Sequence, residues 1–408
     1  MSFDKIAACL DAYRNDMIDL QCRLAAIPAI APSSGGEGEA RKAEFLVEFL
    51  KGIGITDIEV VKAPDVDAPS GYRPNILARV PGRRSDRTIW IMSHMDVVPE
   101  GDMALWRGDP FKPWVEDGKI FGRGVEDNQQ DLVASVFAIK AILDEGLKPA
   151  FDVGLALVAD EETGSDKGIG YVLAHANAFK PDDLIIVPDA GNEDGTMIEV
   201  AEKSILWLKF RTEGKSTHGS TPEKGINAFR AASALVVRLQ DLYKRFPQSD
   251  PLFDPPISTF EPTKKEKNVP NVNTIPGDDV FYMDCRVLPS IPLPDVDAAV
   301  AALAAEVVSE FGVKIDVSDV QRAPAAPPTS PEAPVAKALA AAVKAVYGIE
   351  AKPMGIGGGT VAALFRRAGI PAACWSRLDE TLHGPNEYCI IDNLVGDAKV
   401  FAHVLLQE

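Results

Sequence analysis

Residues 89–99 read IWIMSHMDVVP, an apolar run interrupted by a histidine and an aspartate two positions apart. Side chains at i and i+2 of a strand share a face, so His94 and Asp96 stand side by side. Three further stretches put acids at the carboxyl end of an expected strand or just beyond it: FGRGVEDN (121–128), VADEETG (158–164) and IIVPDAG (185–191). A fifth, LHGPNE (382–387), adds a histidine in a turn with a carboxylate four residues on. Like charges gathered at one sheet edge repel and are costly to desolvate, and a bound cation resolves both problems. Histidine with Asp and Glu, and without Cys, is the donor set expected for zinc or a similar divalent ion in a hydrolytic site. A ligating imidazole needs its second ring nitrogen held, which is a natural task for Asp96 beside His94.

Any one of these acids, taken alone, is more often a helix cap or turn residue than a ligand. Their coincidence at strand ends carries the argument. Of the five histidines, His175 and His403 fall in amphipathic helical segments and read as structural. His218 lies among small and turn-forming residues in GKSTHGSTP and resists that reading. Competing motifs fail. Gly214-Lys215-Ser216 resembles the end of a phosphate-binding loop, but Lys209 stands where that motif needs glycine. No Gly-x-Ser-x-Gly elbow occurs. The glycine-rich turn 355–360 follows no clear strand and does not make a dinucleotide fingerprint.

The elements that must position these residues alternate along the first half of the chain. Helical segments near the amino terminus and at 37–52 precede extended ones at 55–61, 75–80 and 88–97. A helix at 131–145 leads to a strand at 153–159, and a helix at 167–179 to a strand at 184–187. This alternation predicts an α/β fold with helices flanking a central mixed sheet, and open sheets of that class place their sites at the carboxyl ends of strands. From residue 205 the rhythm becomes β-α-β-β-α-β, the ferredoxin-like order. The Pro-rich segment 323–331 then reads as a linker before the α/β pattern resumes. The expected organisation is a catalytic domain in two parts, 1–204 and 322–408, interrupted by an inserted α+β domain at 205–321.

At 408 residues the chain has room for more than one domain, and no apolar run approaches the length of a membrane span. Lys plus Arg is 42 against 60 Asp plus Glu, a formal charge of −18 that disfavours nucleic acid as a partner. Five scattered cysteines with no Cys-x-x-Cys argue against a disulfide framework or a thiolate zinc site. The amino terminus lacks the features of a signal peptide, which gives the expectation of a cytoplasmic protein.

The ordered set SHMD, GRGVED, DEETGS, PDAG, STHGSTP, NTIPG, DCR, GGGT and HGPNE resembles the dizinc amidohydrolase and metallopeptidase family that contains acetylornithine deacetylase, succinyl-diaminopimelate desuccinylase, aminoacylase, glutamate carboxypeptidase and the bacterial dipeptidases. The resemblance implies two zinc ions per subunit, with Co2+ or Mn2+ as substitutes. One would be held by His94 and Asp189, the other by Glu162 and His383, with Asp127 bridging. Asp96 would orient His94. Glu161 would be the general base that takes a proton from the attacking water and later passes it to the leaving amine. The inserted domain would be a lid and homodimer surface, and its His218 would reach the partner's active site to stabilise the oxyanion. Asn273, Arg286, Gly358 and Gly359 would hold the substrate carboxylate. The substrate would be a small N-acyl amino acid, or alternatively a dipeptide or other short peptide; a non-catalytic carboxylate-binding protein of the same fold is the remote alternative. Three departures bear on this. Asn128-Gln129-Gln130 replaces the Asp-Lys-Gly often found after the bridging acid, and Val361-Ala362 replaces a Ser-Asp pair after the Gly-Gly-Thr turn. Position 189 is Asp, which the resemblance associates with amino- and dipeptidases more than with deacylases.

Overall fold

The computed structural model describes residues 2–379 and 381–408. The chain divides into two compact units: residues 1–200, 328–353 and 360–408 form one, and residues 201–327 with 354–359 form the other.

An eight-stranded sheet organises the first unit. Its order is Asp57–Pro64, Tyr72–Val80, Phe151–Val158, Arg84–His94, Leu184–Val187, Ala372–Cys374, Met197–Glu202 and Lys352–Ile356. The first two pairings are antiparallel, whereas Arg84–His94 runs parallel to both Phe151–Val158 and Leu184–Val187. Parallel neighbours end at the same edge, so the segments after His94, Val158 and Val187 emerge together. The register pairs His94 with Val158 and Ile91 with Ile186. The inner stretches of these strands, residues 89–92, 153–158 and 184–187, are buried on both faces, which explains their apolar sequence. Trp90 packs so closely over Gly154 that a Cβ there would lie 2.1 Å from the indole ring.

Helix Gln129–Asp144, almost wholly buried, packs against the strand Arg84–His94 and against the terminal helix Ile391–Leu406. A small three-stranded sheet pairs Trp114–Glu116 with Lys119–Phe121, and Phe121 with Tyr388 of the strand Tyr388–Ile390. A short strand, Lys352–Ile356, precedes the glycine-rich turn, which the sequence had placed after no strand; its Pro353 and Gly355 mask the signal. The expected opening helix is two, Ser2–Ala12 and Arg14–Ala25.

The second unit has a four-stranded antiparallel sheet in the order Thr259–Lys265, Asp278–Val287, Ser204–Glu213, Lys314–Ala323. Burial alternates along Ser204–Glu213, with Leu206, Leu208 and Phe210 facing inward. Helices Ala228–Leu239 and Leu293–Phe311 contribute Leu235, Val300 and Leu303 to the same core. None of the described helices is long and apolar enough to cross a membrane.

Candidate metal centre

The shared edge of the three parallel strands gathers the acids that the sequence singles out. His94 ends its strand fully buried, and Asp96 follows at 1% exposure. The imidazole Nδ1 lies 3.0 Å from the backbone carbonyl of Asp96 and 3.5 Å from its carboxylate. The carboxylate accepts instead from the amides of Glu161 and Glu162, at 3.1 and 3.0 Å. Asp96 therefore orients His94 chiefly through its main chain and fixes the acidic helical turn Glu161–Thr163 with its side chain. That leaves Nε2 of His94 directed toward carboxylates: 2.8 Å from Asp127 Oδ1 and 3.4 Å from Asp189 Oδ1.

Asp127 stands between two imidazoles. Its second oxygen lies 3.1 Å from Nε2 of His383, which is also 3.1 Å from a Glu162 oxygen. Ligand-capable atoms converge in two overlapping trios, His94 with Glu161 and Asp189, and His94 with Asp127 and Glu162, each spanning no more than 4.8 Å. Glu161 thus lies within ligand reach, although the sequence reading gives it a proton-transfer role. His383 enters neither trio but meets Asp127 and Glu162 directly; it is half-exposed, on a turn with φ of 59°.

The electrostatics describe a site crowded with charge. Burial alone would lower the His94 pKa, but Asp189, Asp127 and Asp96 push it well above its ordinary value. His383 rises to about 10 through its hydrogen bonds with Asp127 and Glu162. Burial, and then Asp189, push the Glu161 carboxyl well up. Burial would also raise Asp127, yet His383 and His94 hold it below the usual carboxylate range. Carboxylates that raise one another, with two imidazoles facing them, form a donor set that fits divalent metal.

Several supporting residues gave no clear sequence signal. Asn128 donates from Nδ2 to Asp189 Oδ1 at 3.2 Å, and to the carbonyl of Pro188, so one of the departing positions holds a proposed ligand. Gln130 donates to the Arg377 carbonyl and to Asp397, both at 3.0 Å. Arg73, 2% exposed, grips Glu39 through two nitrogens and Asp160 at 3.1 Å, bracing the residue before Glu161. Asp160 itself has φ of 64°, a left-handed conformation held by this pairing. Lys42, 1% exposed, donates to the Met95 carbonyl at 3.0 Å. Burial pushes its pKa down to about 7 against the pull of Asp96, Glu39 and Glu387. A lysine or arginine inside an otherwise amphipathic segment is the only hint such residues leave in sequence.

The remaining expected site residues belong to the second unit. His218 sits in a two-residue ladder opposite Thr274, exposed, with Nδ1 2.7 Å from Ser220 Oγ. The Asn273 carbonyl accepts from Gly219, tying the two segments together at 2.7 Å. Arg286 has its fork engaged: Nε and Nη2 donate to Asp284 at 2.7 and 3.0 Å, and Nη1 to the Gly357 carbonyl at 2.7 Å. Of its five N–H bonds, three are used in this way. Gly358 and Gly359 lie in the turn beyond, where a Cβ would have only distant contacts, to Ile356 and Ile205 at 3.9 Å.

Comparison with known proteins places these features in context. The model of peptidase family M20/M25/M40 matches residues 90–407. An uncharacterized metallohydrolase of Methanococcus maripaludis is 39% identical, covering 96% of this chain and 99% of that protein. A succinyl-diaminopimelate desuccinylase of Cereibacter sphaeroides is 27% identical over 91% of this chain and 93% of its own length. Among solved structures, human carnosine dipeptidase 1 superposes with a TM-score of 0.73 at 16% identity, over 100% of this chain and 98% of that one, a likeness of fold.

Proposed function

Since this chain belongs to peptidase family M20/M25/M40 and is a metal-dependent hydrolase, we propose that it cleaves the amide bond of small N-acyl amino acids at a pair of zinc ions. The observation that carries the proposal is Asp127 spanning His94 and His383, with Glu161 alongside. His94 and Asp189 would hold one ion, Glu162 and His383 the other, and Asp127 both. When bound, the ions lower the pKa of water toward neutrality and polarise the scissile carbonyl.

The chain's own residues supply the rest. Glu161, buried and with its carboxyl raised well above the ordinary value, takes the proton of the attacking water and returns it to the leaving amine nitrogen. Asp96 keeps Glu161 in place through the amide it accepts from. Arg286 retains two N–H bonds for a substrate carboxylate, with Asn273 and the Gly358–Gly359 backbone as further contacts. His218, from the inserted unit of a second copy in a homodimer, would donate to the developing oxyanion. The absence of any disulfide among the five free cysteines supports a cytoplasmic setting.

A dipeptidase using the same machinery is the second reading, supported by Asp rather than Glu at position 189. Purified protein should contain metal and hydrolyse members of a panel of N-acetyl and N-succinyl amino acids and dipeptides, with activity abolished by chelator. Cleavage that is insensitive to chelator would overturn the mechanism, and the preferred member of the panel decides between deacylase and dipeptidase.

A further inference from the structure

Two motifs each carry an acid that the ligand set leaves unused. Glu126 immediately precedes Asp127, and Glu387 follows His383 by four residues. Both are 1% exposed. A carboxylate at that depth is retained only with hydrogen-bond donors around it.

Each finds its donors in the other motif. The Glu387 carboxylate accepts from the amides of Gly124 and Glu126, both at 2.9 Å, and of Asp127 at 3.2 Å. It also accepts from Arg123 Nη1 at 2.7 Å, while Arg123 Nη2 reaches the His383 carbonyl at 3.4 Å. In the opposite direction, the Glu126 carboxylate accepts from the Asp379 amide at 2.6 Å, from the Thr381 amide, and from Thr381 Oγ1 at 2.7 Å. The small sheet explains why the two segments meet: Phe121 pairs with Tyr388, and the Gly122 amide donates to the Glu387 carbonyl at 3.1 Å.

We propose that Glu126 and Glu387 are positioning residues, a reciprocal clamp that sets the separation of Asp127 from His383. The inference rests on the reading of those two residues as ligands. Charge-assisted bonds from several amides to one carboxylate fix a backbone more firmly than neutral bonds do. Neither segment can shift without stripping donors from the carboxylate of the other, so the bridging acid and the second histidine move together or not at all. A ligand pair taken from segments about 260 residues apart in the chain is thereby held at one spacing.

The test compares full-length Glu126→Gln, Glu387→Gln and the double variant with the conservative Glu387→Asp, which also serves if Glu387→Gln fails to fold. Amide exchange on metal-free protein gives the first readout. Glu387→Gln should deprotect Gly124 and Asp127, and Glu126→Gln should deprotect Asp379 and Thr381. Deprotection confined to the mutated residue's own segment would overturn the clamp. Competition with a chromogenic chelator gives the second. Each glutamine variant should bind zinc about 10- to 100-fold more weakly, with a shifted visible spectrum for the cobalt-loaded protein, and the double variant should lose less than the sum. Wild-type affinity and spectrum in both glutamine variants would reduce the pair to a structural role and sink the proposal. A wild-type chain that binds no zinc would instead overturn the ligand reading, and the exchange pattern would then decide the clamp by itself.

Discussion

Glu161 lies in a run of three acids, and its neighbours set its role more than its own chemistry does. Burial and Asp189 raise its carboxyl well above the ordinary value, which suits a group that must both accept and return a proton. Glu161→Gln should lower kcat by roughly 10²- to 10⁴-fold with metal content unchanged, as measured by elemental analysis beside steady-state kinetics; retained turnover would remove it as the base. The histidines give a second prediction. In the metal-free protein His383 is raised to about 10, so it carries a proton at neutrality, and the neighbouring Asp189, Asp127 and Asp96 push His94 in the same direction, toward its protonated form. A metal can bind only neutral imidazole, so binding must expel those protons. Affinity should therefore rise as pH increases from neutrality toward about 10, and fall on acidification. Calorimetry in buffers of different ionisation enthalpy should detect net proton release; zero release would contradict these protonation states. His94 and its carboxylate partner were legible from the i, i+2 spacing. That Asp96 holds the ring mainly by its carbonyl, and spends its carboxylate on Glu161 and Glu162, was not, because a main-chain contact leaves no residue-type signal.

Among the elements, segments with a clear apolar or alternating pattern were readable, the short strand Leu184–Val187 included, and those without one were not. The strands that deliver His94, Glu161 and Asp189 carry apolar runs at 89–92, 153–158 and 184–187, and burial alternates along the second unit's strand Ser204–Glu213, so pattern alone located them. The three-residue strands Trp114–Glu116, Lys119–Phe121 and Tyr388–Ile390 are too brief to show a period, and their pairing depends on distant partners. The same blindness covers the buried cations that brace the turns carrying the proposed ligands. Arg73 joins the strand Tyr72–Val80 to the turn before Glu161 by neutralising Glu39 and Asp160, with Asp65 at 3.7 Å. Arg73→Met would keep much of the side-chain volume while leaving buried carboxylates unpaired. The expected loss is about 3–5 kcal/mol of stability, read from urea denaturation of the metal-free protein. A change below about 0.5 kcal/mol, typical of exposed surface sites, would show that Glu39 and Asp160 are satisfied without it.

At the scale of the whole molecule, the question is what each compact unit contributes. The first has its own core, including Trp90, Met92, Val158, Ile185 and Phe365, and it carries every proposed metal ligand. The second has a separate core, with Phe210, Phe260, Phe281 and Leu303, and it carries His218, Asn273 and Arg286. Within the first unit the chain leaves and returns at adjacent points, since the Thr329 amide donates to the Val200 carbonyl at 2.8 Å. Closely spaced ends are what allow one domain to interrupt another without unfolding it. Replacing residues 201–327 by a short Gly/Ser linker should therefore leave a folded protein that binds the wild-type complement of metal. It should hydrolyse no member of the acyl-amino-acid panel, and it should sediment as a monomer, whereas the intact chain should sediment as the proposed dimer. Metal bound without turnover would assign cation binding to the first unit and substrate engagement to the second. Wild-type turnover by the excised protein would remove His218, Asn273 and Arg286 from the reaction, and loss of metal with circular dichroism intact would show that the ligands need the inserted unit to hold their places.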